Sequence, residues 1–218
     1  MIRAALFDLD GTLVDNMRYH FAAWRKTAAA LGVTLDDRTI QREFAGKKND
    51  EIIPIVLGRA ASPAEIANIA WQKESAYRDA YAAHVALVPG ALALIDALRA
   101  RGMKTAIASA APPENRAMVL DALMLRARFD AIAGGEECKR GKPWPDIFLL
   151  AAERVGVAPA ECVVFEDAVL GVKAAVAAGA VVVGVTTVEP AHALLGAGAR
   201  MTIKDFVDAA LSAFLTTH

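Results

Sequence analysis

Residues 8–15 read Asp8-Leu9-Asp10-Gly11-Thr12-Leu13-Val14-Asp15 and overlap the end of an apolar run that begins at Ile2. Residues 2–9 (I-R-A-A-L-F-D-L) are short and mostly unalternating, and they end in acid. That is the pattern of a strand buried on both faces of a parallel sheet. Two carboxylates two residues apart at such a strand's end suit two jobs. One attacks an electrophile as a nucleophile while the other donates and accepts a proton. The Gly11-Thr12 turn lets backbone N–H groups come close to an anion. Taken alone, Asp-Gly is also no more than a tight turn after a strand.

Further out, residues 105–109 (T-A-I-A-S), 131–133, 162–165 (C-V-V-F) and 181–185 (V-V-V-G-V) repeat the strand pattern. Helical patterns separate them. Residues 90–101 carry Leu94, Ile95 and Leu98 at helical spacing and stop at Gly102. Residues 113–124 and 145–155 each open on proline, where a missing N–H costs least, and residues 168–178 end at Gly179. Strands alternating with helices predict an α/β fold with a Rossmann-like, doubly wound parallel sheet. The alternation stops between residues 17 and 88, where the patterns at 19–31, 36–44, 50–57 and 63–83 are all helical. This predicts an all-helical cap domain (residues 17–88) inserted into an α/β core (residues 1–16 and 89–218), with Pro89-Gly90 as a hinge.

Composition narrows the function. Of 218 residues 56% are hydrophobic and 22% charged, which supports a sizeable core and excludes wholesale disorder. Alanine supplies 48 positions and leans the chain towards helix. Lysine and arginine number 24 against 25 acids, so no basic stripe exists to grip nucleic acid. Cys138 and Cys162 are too few for a disulfide scaffold or a zinc site. The longest uncharged apolar run, residues 174–188, spans 15 positions with Gly179 and Gly184 inside it. A membrane span needs about 20. Asp8 and Asp10 interrupt anything resembling a secretory leader. The expectation is a soluble, cytoplasmic monomer with neither nucleic-acid nor membrane partners.

The other strand ends carry matching chemistry. Ser109 closes the second run, where a hydroxyl either binds a phosphate oxygen or caps the following helix. Lys142 lies in Gly141-Lys142-Pro143-Trp144-Pro145-Asp146, where two prolines limit where its ammonium points; otherwise it is a solvated loop lysine. Glu166-Asp167 ends the fourth run, and adjacent acids after a buried strand are costly unless something pairs them. Asp8, Asp10, Glu166 and Asp167 against the single Lys142 leave a formal charge of −3. Mg²⁺ lowers it to −1 and bridges carboxylates to a phosphate.

With D-L-D-G-T at Asp8, then Ser109, the K-P-x-P-D of Lys142 and Glu166-Asp167 in order, the chain resembles the haloacid dehalogenase superfamily. It is similar to the branch with a helical cap after the first strand, and within it to the β-phosphoglucomutase-like phosphatases. The likeness spans nearly the whole length. It implies Asp8 as the nucleophile that forms an aspartyl-phosphate. It implies Asp10 as the group that protonates the leaving oxygen and then activates water, reaching the metal through its backbone carbonyl. By the same resemblance Ser109 and Lys142 hold the transferring phosphoryl group, and Glu166 and Asp167 anchor Mg²⁺ with Asp8. The dehalogenases of the superfamily lack the second Asp, since halide leaves without a proton donor, so Asp10 speaks for phosphate chemistry.

The cap would choose the substrate, through His20, Trp24, Lys47, Lys48, Asn49 and Lys73, with Ala110 on the core side. His20 and Trp24 are four apart on one helix face, although Trp24 also fits a core position with His20 packed beside it. Lys47-Lys48 also fits a solvated loop, and Lys73 a surface helix charge. Tyr19-His20-Phe21, Trp24 and Lys73 match the mutase cap. Ala45-Gly46-Lys47-Lys48-Asn49, however, lacks the arginine that grips a sugar's second phosphate, and Ala110-Ala111-Pro112-Pro113 lacks the mutases' polar pair. Both departures favour hydrolysis of a small phosphorylated metabolite, a sugar or polyol phosphate. The alternative is a β-phosphoglucomutase interconverting sugar 1- and 6-phosphates. A non-catalytic binding protein would have no use for Asp8, Asp10 and Lys142 together.

Overall fold

The apolar runs become strands β1 (Ala4–Phe7), β2 (Lys104–Ser109), β3 (Ala131–Gly134), β4 (Cys162–Glu166), β5 (Val181–Val185) and β6 (Met201–Ile203). The structure, a computed structural model, describes residues 1–217. The strands form one parallel sheet in the order β3-β2-β1-β4-β5-β6. Only β6 was not expected. Its three residues lie between Arg200 and Lys204, too short to show a pattern, and it is pairing with β5 (Val183 opposite Met201, Val185 opposite Ile203) that makes it a strand. The first strand is shorter than residues 2–9. Its ladder runs on through the Asp8 N–H to Phe165 O (3.0 Å), and then the chain closes on itself, the Leu13 and Val14 N–H groups both donating to Leu9 O.

The helices are α1 (Met17–Ala30), α2 (Asp37–Phe44), α3 (Asn49–Leu57), α4 (Pro63–Tyr81), α5 (Ala91–Ala100), α6 (Pro113–Ala122), α7 (Asp146–Val155), α8 (Val169–Ala177), α9 (Ala191–Gly196) and α10 (Ala209–Thr217). Local chemistry sets several ends. Asp36 accepts from the Thr39 N–H (2.6 Å) to start α2, and Ser62 accepts from Glu65 (3.2 Å) before Pro63 opens α4. Helix α6 was expected to reach residue 124 but ends two residues earlier, as Met124 adopts a left-handed φ of 51°. Helices α9 and α10 were not foreseen.

Side chains of the central strands alternate between two buried faces. Phe7, Ile107, Phe165 and Val183 pack with Ile95 of α5, Val119 of α6 and Leu211 of α10. Leu6 and Val164 pack the other way, with Phe148 of α7, Val172 of α8 and Leu194 of α9. Helices therefore cover both faces, as a wholly parallel sheet requires. Helices α1–α4, which run between β1 and α5 with no strand among the described residues, bury a separate cluster that includes Trp24, Ile40, Phe44, Ile53 and Ile69. The fold is a Rossmann-like α/β core with a helical cap. Among the described residues no helix is long and apolar enough to cross a membrane.

The centre of the sheet is aromatic. Phe165 is fully buried, stacks on Phe7 (4.8 Å, 11°) and meets Phe206 edge-on (5.4 Å). Phe165→Ala is expected to lower the unfolding free energy by about 3–5 kcal/mol, read as a lower urea midpoint at unchanged m.

Candidate active site

Strand register assembles the site. Phe7 lies beside Ile107 on one side and Phe165 on the other, so Asp8 emerges level with Glu166 and one residue short of Ser109. These are the carboxyl ends of adjacent parallel strands around β1, where the strand order changes direction, and open α/β sheets bind ligands there. Lys142 arrives from the loop between β3 and α7 and is buried. Its Nζ donates to Asp8 Oδ1 (2.7 Å) and to Glu166 Oε1. Burial works against the Lys142 charge, but Asp8 and Glu166 outweigh it and raise its pKa well above that of a free lysine. The solvated-loop alternative for Lys142 is excluded.

The four acids divide into different environments. Asp8 is pushed up to about 7, by burial above all, with Lys142 opposing and Glu166 adding to the rise. Burial also raises Asp167, reinforced by Glu166 and Asp8. Thr12 Oγ1 donates to Asp167 Oδ1 (2.8 Å). Glu166 has no oxygen free of a hydrogen bond, since Oε1 accepts from Lys142 and Oε2 from the Ala168 N–H (2.9 Å). Glu166 is thus the partner of Lys142 here, and Asp8 and Asp167 are the acids with an uncommitted oxygen. Among the described residues no three His, Cys, Asp or Glu side chains gather closely enough to hold an ion by themselves.

Asp10 behaves oppositely. Burial opposes its charge, yet His20 and Asn16 hold its carboxyl below the ordinary value. Asn16, fully buried, donates from Nδ2 to Asp10 Oδ1 (2.5 Å) and to the Tyr77 hydroxyl (2.6 Å), while its Oδ1 accepts from the Gly11 N–H (3.1 Å). On the cap side His20 Nε2 lies 3.6 Å from Asp10 Oδ2. His20 Nδ1 is 2.8 Å from Lys73 Nζ. An ammonium only donates, so Nδ1 is the acceptor and the ring hydrogen sits on Nε2, facing Asp10. Tyr77 stacks on the imidazole (3.8 Å, 14°) and fixes its plane.

A cavity of about 110 Å³ joins Asp8, Asp10, Ser109, Lys142, Glu166 and Asp167 to the cap residues His20, Trp24, Lys47, Asn49 and Lys73. Ala110 lines it too. Trp24 serves both of its expected roles, packing edge-on against Phe44 (5.3 Å) in the cap core while facing the cavity. Lys73 is not a surface charge: only 3% exposed, it lies over Trp24 (5.2 Å) and Tyr77 (5.7 Å) and pairs with Glu74. Lys48 stands outside the cavity lining, its Nζ 3.8 Å from Asp50. Ser109 Oγ accepts from the Ala111 N–H (3.1 Å), a turn bond rather than a helix cap, which leaves its hydroxyl hydrogen to donate.

Asn16, Thr12, Tyr77, Glu74 and Asn115 were not anticipated. Asn16 had a signal, one residue beyond the acidic motif. Glu74 had none, because an acid within a helix is normally solvated.

The family model for haloacid dehalogenase-like hydrolases matches residues 2–179. Among curated proteins, a phosphorylated carbohydrates phosphatase of Thermotoga maritima is 30% identical over 205 residues, 93% of this chain and 94% of that one. The fructose-1-phosphate phosphatase YqaB of Escherichia coli is 34% identical over 186 residues, 80% of this chain and 91% of its own. Among solved structures, a β-phosphoglucomutase of Clostridium difficile superposes with a TM-score of 0.88 at 28% identity, covering 99% of this chain and 96% of that one.

Two outcomes follow from the geometry. Gly11 has a φ of 81°, and a Cβ there would lie 2.7 Å from Asp167 Cγ and overlap its carboxylate. Gly11→Ala is therefore expected to cost about 1–2 kcal/mol in chemical denaturation, with loss of turnover in the same preparation. Glu74 is held below its ordinary value: burial opposes its charge, but Lys73, His20 and Asn49 prevail. A depressed carboxyl adds stability above its unfolded value and loses it as the pH falls through the native one. Glu74→Gln should therefore show a shallower fall of Tm between about pH 5 and about pH 3 than the unaltered protein.

Proposed function

The chain belongs to the haloacid dehalogenase-like hydrolases, and within that family we propose that it is an Mg²⁺-dependent phosphatase of a small monophosphorylated sugar or polyol. The observation that carries this is the pairing of Asp8 with Lys142 (2.7 Å) beside an Asp10 that Asn16 and His20 keep in place. A buried carboxylate whose one oxygen is held leaves the other, Oδ2, to attack phosphorus. Asp10 takes up a proton as the substrate's negative phosphate enters beside it; the P–O bond to the sugar or polyol then breaks as the new bond to Asp8 forms, and Asp10 gives that proton to the departing oxygen. A water then attacks the phosphorus of the aspartyl-phosphate, Asp10 takes that water's proton, and inorganic phosphate leaves with Asp8 restored. Lys142 and the Ser109 hydroxyl steady the phosphoryl oxygens throughout.

The donor set suits a hard divalent cation. Asp8, Glu166 and Asp167 are buried against one ammonium, an excess of negative charge that a bound cation would relieve without protonating the acids. Magnesium is ordinarily held by one or two carboxylates with substrate phosphate and water, so three converging side chains are not required. Asp8, Asp167 and the Asp10 carbonyl would hold it, and it would supply charge neutralisation to the phosphoryl oxygens. Residues 17–88 serve as the cap over the core of residues 1–16 and 89–218, and keep bulk solvent from the reacting phosphoryl group. The free thiols of Cys138 and Cys162 suit a cytoplasmic setting.

The His20–Lys73 contact and the likeness to a β-phosphoglucomutase favour a second possibility, isomerisation of a sugar phosphate. Phosphate release from a panel of sugar and polyol phosphates with Mg²⁺, run beside a bisphosphate-primed isomerisation assay, separates the two. Net phosphate release without isomerisation is expected. Asp8→Asn should lose at least about 10³-fold in turnover with its melting transition retained, and EDTA should stop the unaltered enzyme. Turnover surviving Asp8→Asn would remove Asp8 as nucleophile.

A further inference from the structure

Glu74 lines the same cavity as Asp8 and is only 5% exposed. Its Oε1 accepts from Lys73 Nζ (2.9 Å) and Asn49 Nδ2 (2.8 Å), and its Oε2 from Asn115 Nδ2 (2.6 Å). Arg78 donates to Asn115 Oδ1 (2.9 Å), which orients that amide with its NH₂ towards Glu74. The clamp draws on both parts of the molecule, because Asn49, Lys73, Glu74 and Arg78 lie on α3 and α4 while Asn115 lies on α6 of the core. A carboxylate fixed by three donors cannot swing away from an incoming ligand.

The clamp also engages the groups that would otherwise meet an anion. The Lys73 charge is balanced, and one hydrogen of the Asn49 NH₂ is taken by Glu74. On the core side Ala110, Ala111 and Pro112 line the cavity with no side-chain donor. A carboxylate offers about four acceptor positions, and three are filled, so one remains for a ligand O–H. A second phosphate would instead bring like charge against Glu74 in a largely buried site. The opposing element is Lys47, the one cap lysine lining the cavity without an ion pair among the described residues.

Building on the phosphatase proposal, we propose that Glu74 is a specificity-determining residue. Its carboxylate accepts a hydroxyl of a monophosphorylated sugar or polyol and turns away substrates bearing a second phosphate.

The test compares a hexose 6-phosphate with the corresponding 1,6-bisphosphate in kcat/KM, and in the melting shift each produces with Mg²⁺. The unaltered enzyme should favour the monophosphate by at least about tenfold, and Glu74→Gln should narrow that ratio by about tenfold, through KM for the bisphosphate. An unaltered enzyme that prefers the bisphosphate overturns the proposal and hands the distal position to Lys47. A folded Glu74→Gln with an unchanged ratio overturns it as well. If Glu74→Gln does not fold, the preference of the unaltered enzyme decides. Failure to release phosphate from any monophosphate refutes the phosphatase proposal instead, and the melting shifts still report which ligand the site prefers.

Discussion

A lysine ammonium buried between two carboxylates at the rim of a parallel sheet is the constraint on which the rest of this molecule depends. Lys142, Asp8 and Glu166 come from three separate segments, and each would be costly to bury alone. Their contact ties the loop after β3 to the ends of β1 and β4. Removing Lys142 leaves two buried carboxylates without a counterion, whereas removing either acid leaves the ammonium paired with the other. The aromatic stack of Phe7 on Phe165 directly beneath gives them a rigid floor.

The same rim shows how one fold keeps two neighbouring aspartates in different states. Asp8 and Asp10 are separated by one residue, yet Asp8 is raised by burial and by Glu166 while Asp10 is lowered by His20 and Asn16. The two carboxyls move in opposite directions because Asp8 is buried beside Glu166 while Asp10 faces hydrogen-bond donors. Here the division coincides with the two parts of the chain. Asp8 is set by the core, and Asp10 is set in part by the cap, through His20 of α1 and, beyond it, Lys73 of α4. A site that is whole only when both parts meet couples chemistry to enclosure.

The polar seam between the parts is wider than the reacting groups. Gln41 of α2 donates to Val188 O (3.1 Å) beyond β5, and Asn115 of α6 donates to Glu74. These contacts add to an apolar cluster that the cap shares with the sheet, in which Ala23 of α1 and Tyr77 and Tyr81 of α4 pack with Leu13 and Phe7.

The parallel core and the helical insertion were legible because apolar runs ending in acid, and helical periodicity without strands, are local patterns. So was the position of Asp8, Asp10, Ser109, Lys142, Glu166 and Asp167 beside one cavity, each at the end of such a run or in a proline-stiffened loop. Partners distant in the chain are harder to see: β6 exists through pairing with β5, Glu166 faces a lysine 24 positions away, and Glu74 meets Asn115 across 41 residues. By itself, then, the sequence determined which side chains stand at strand ends, Asp8, Ser109 and Glu166 among them. Tertiary structure alone decided which acid pairs with Lys142, that Lys73 is buried, and that Glu74 enters the cavity. A side chain's partners across the fold depend on register and helix packing, and no local pattern encodes either.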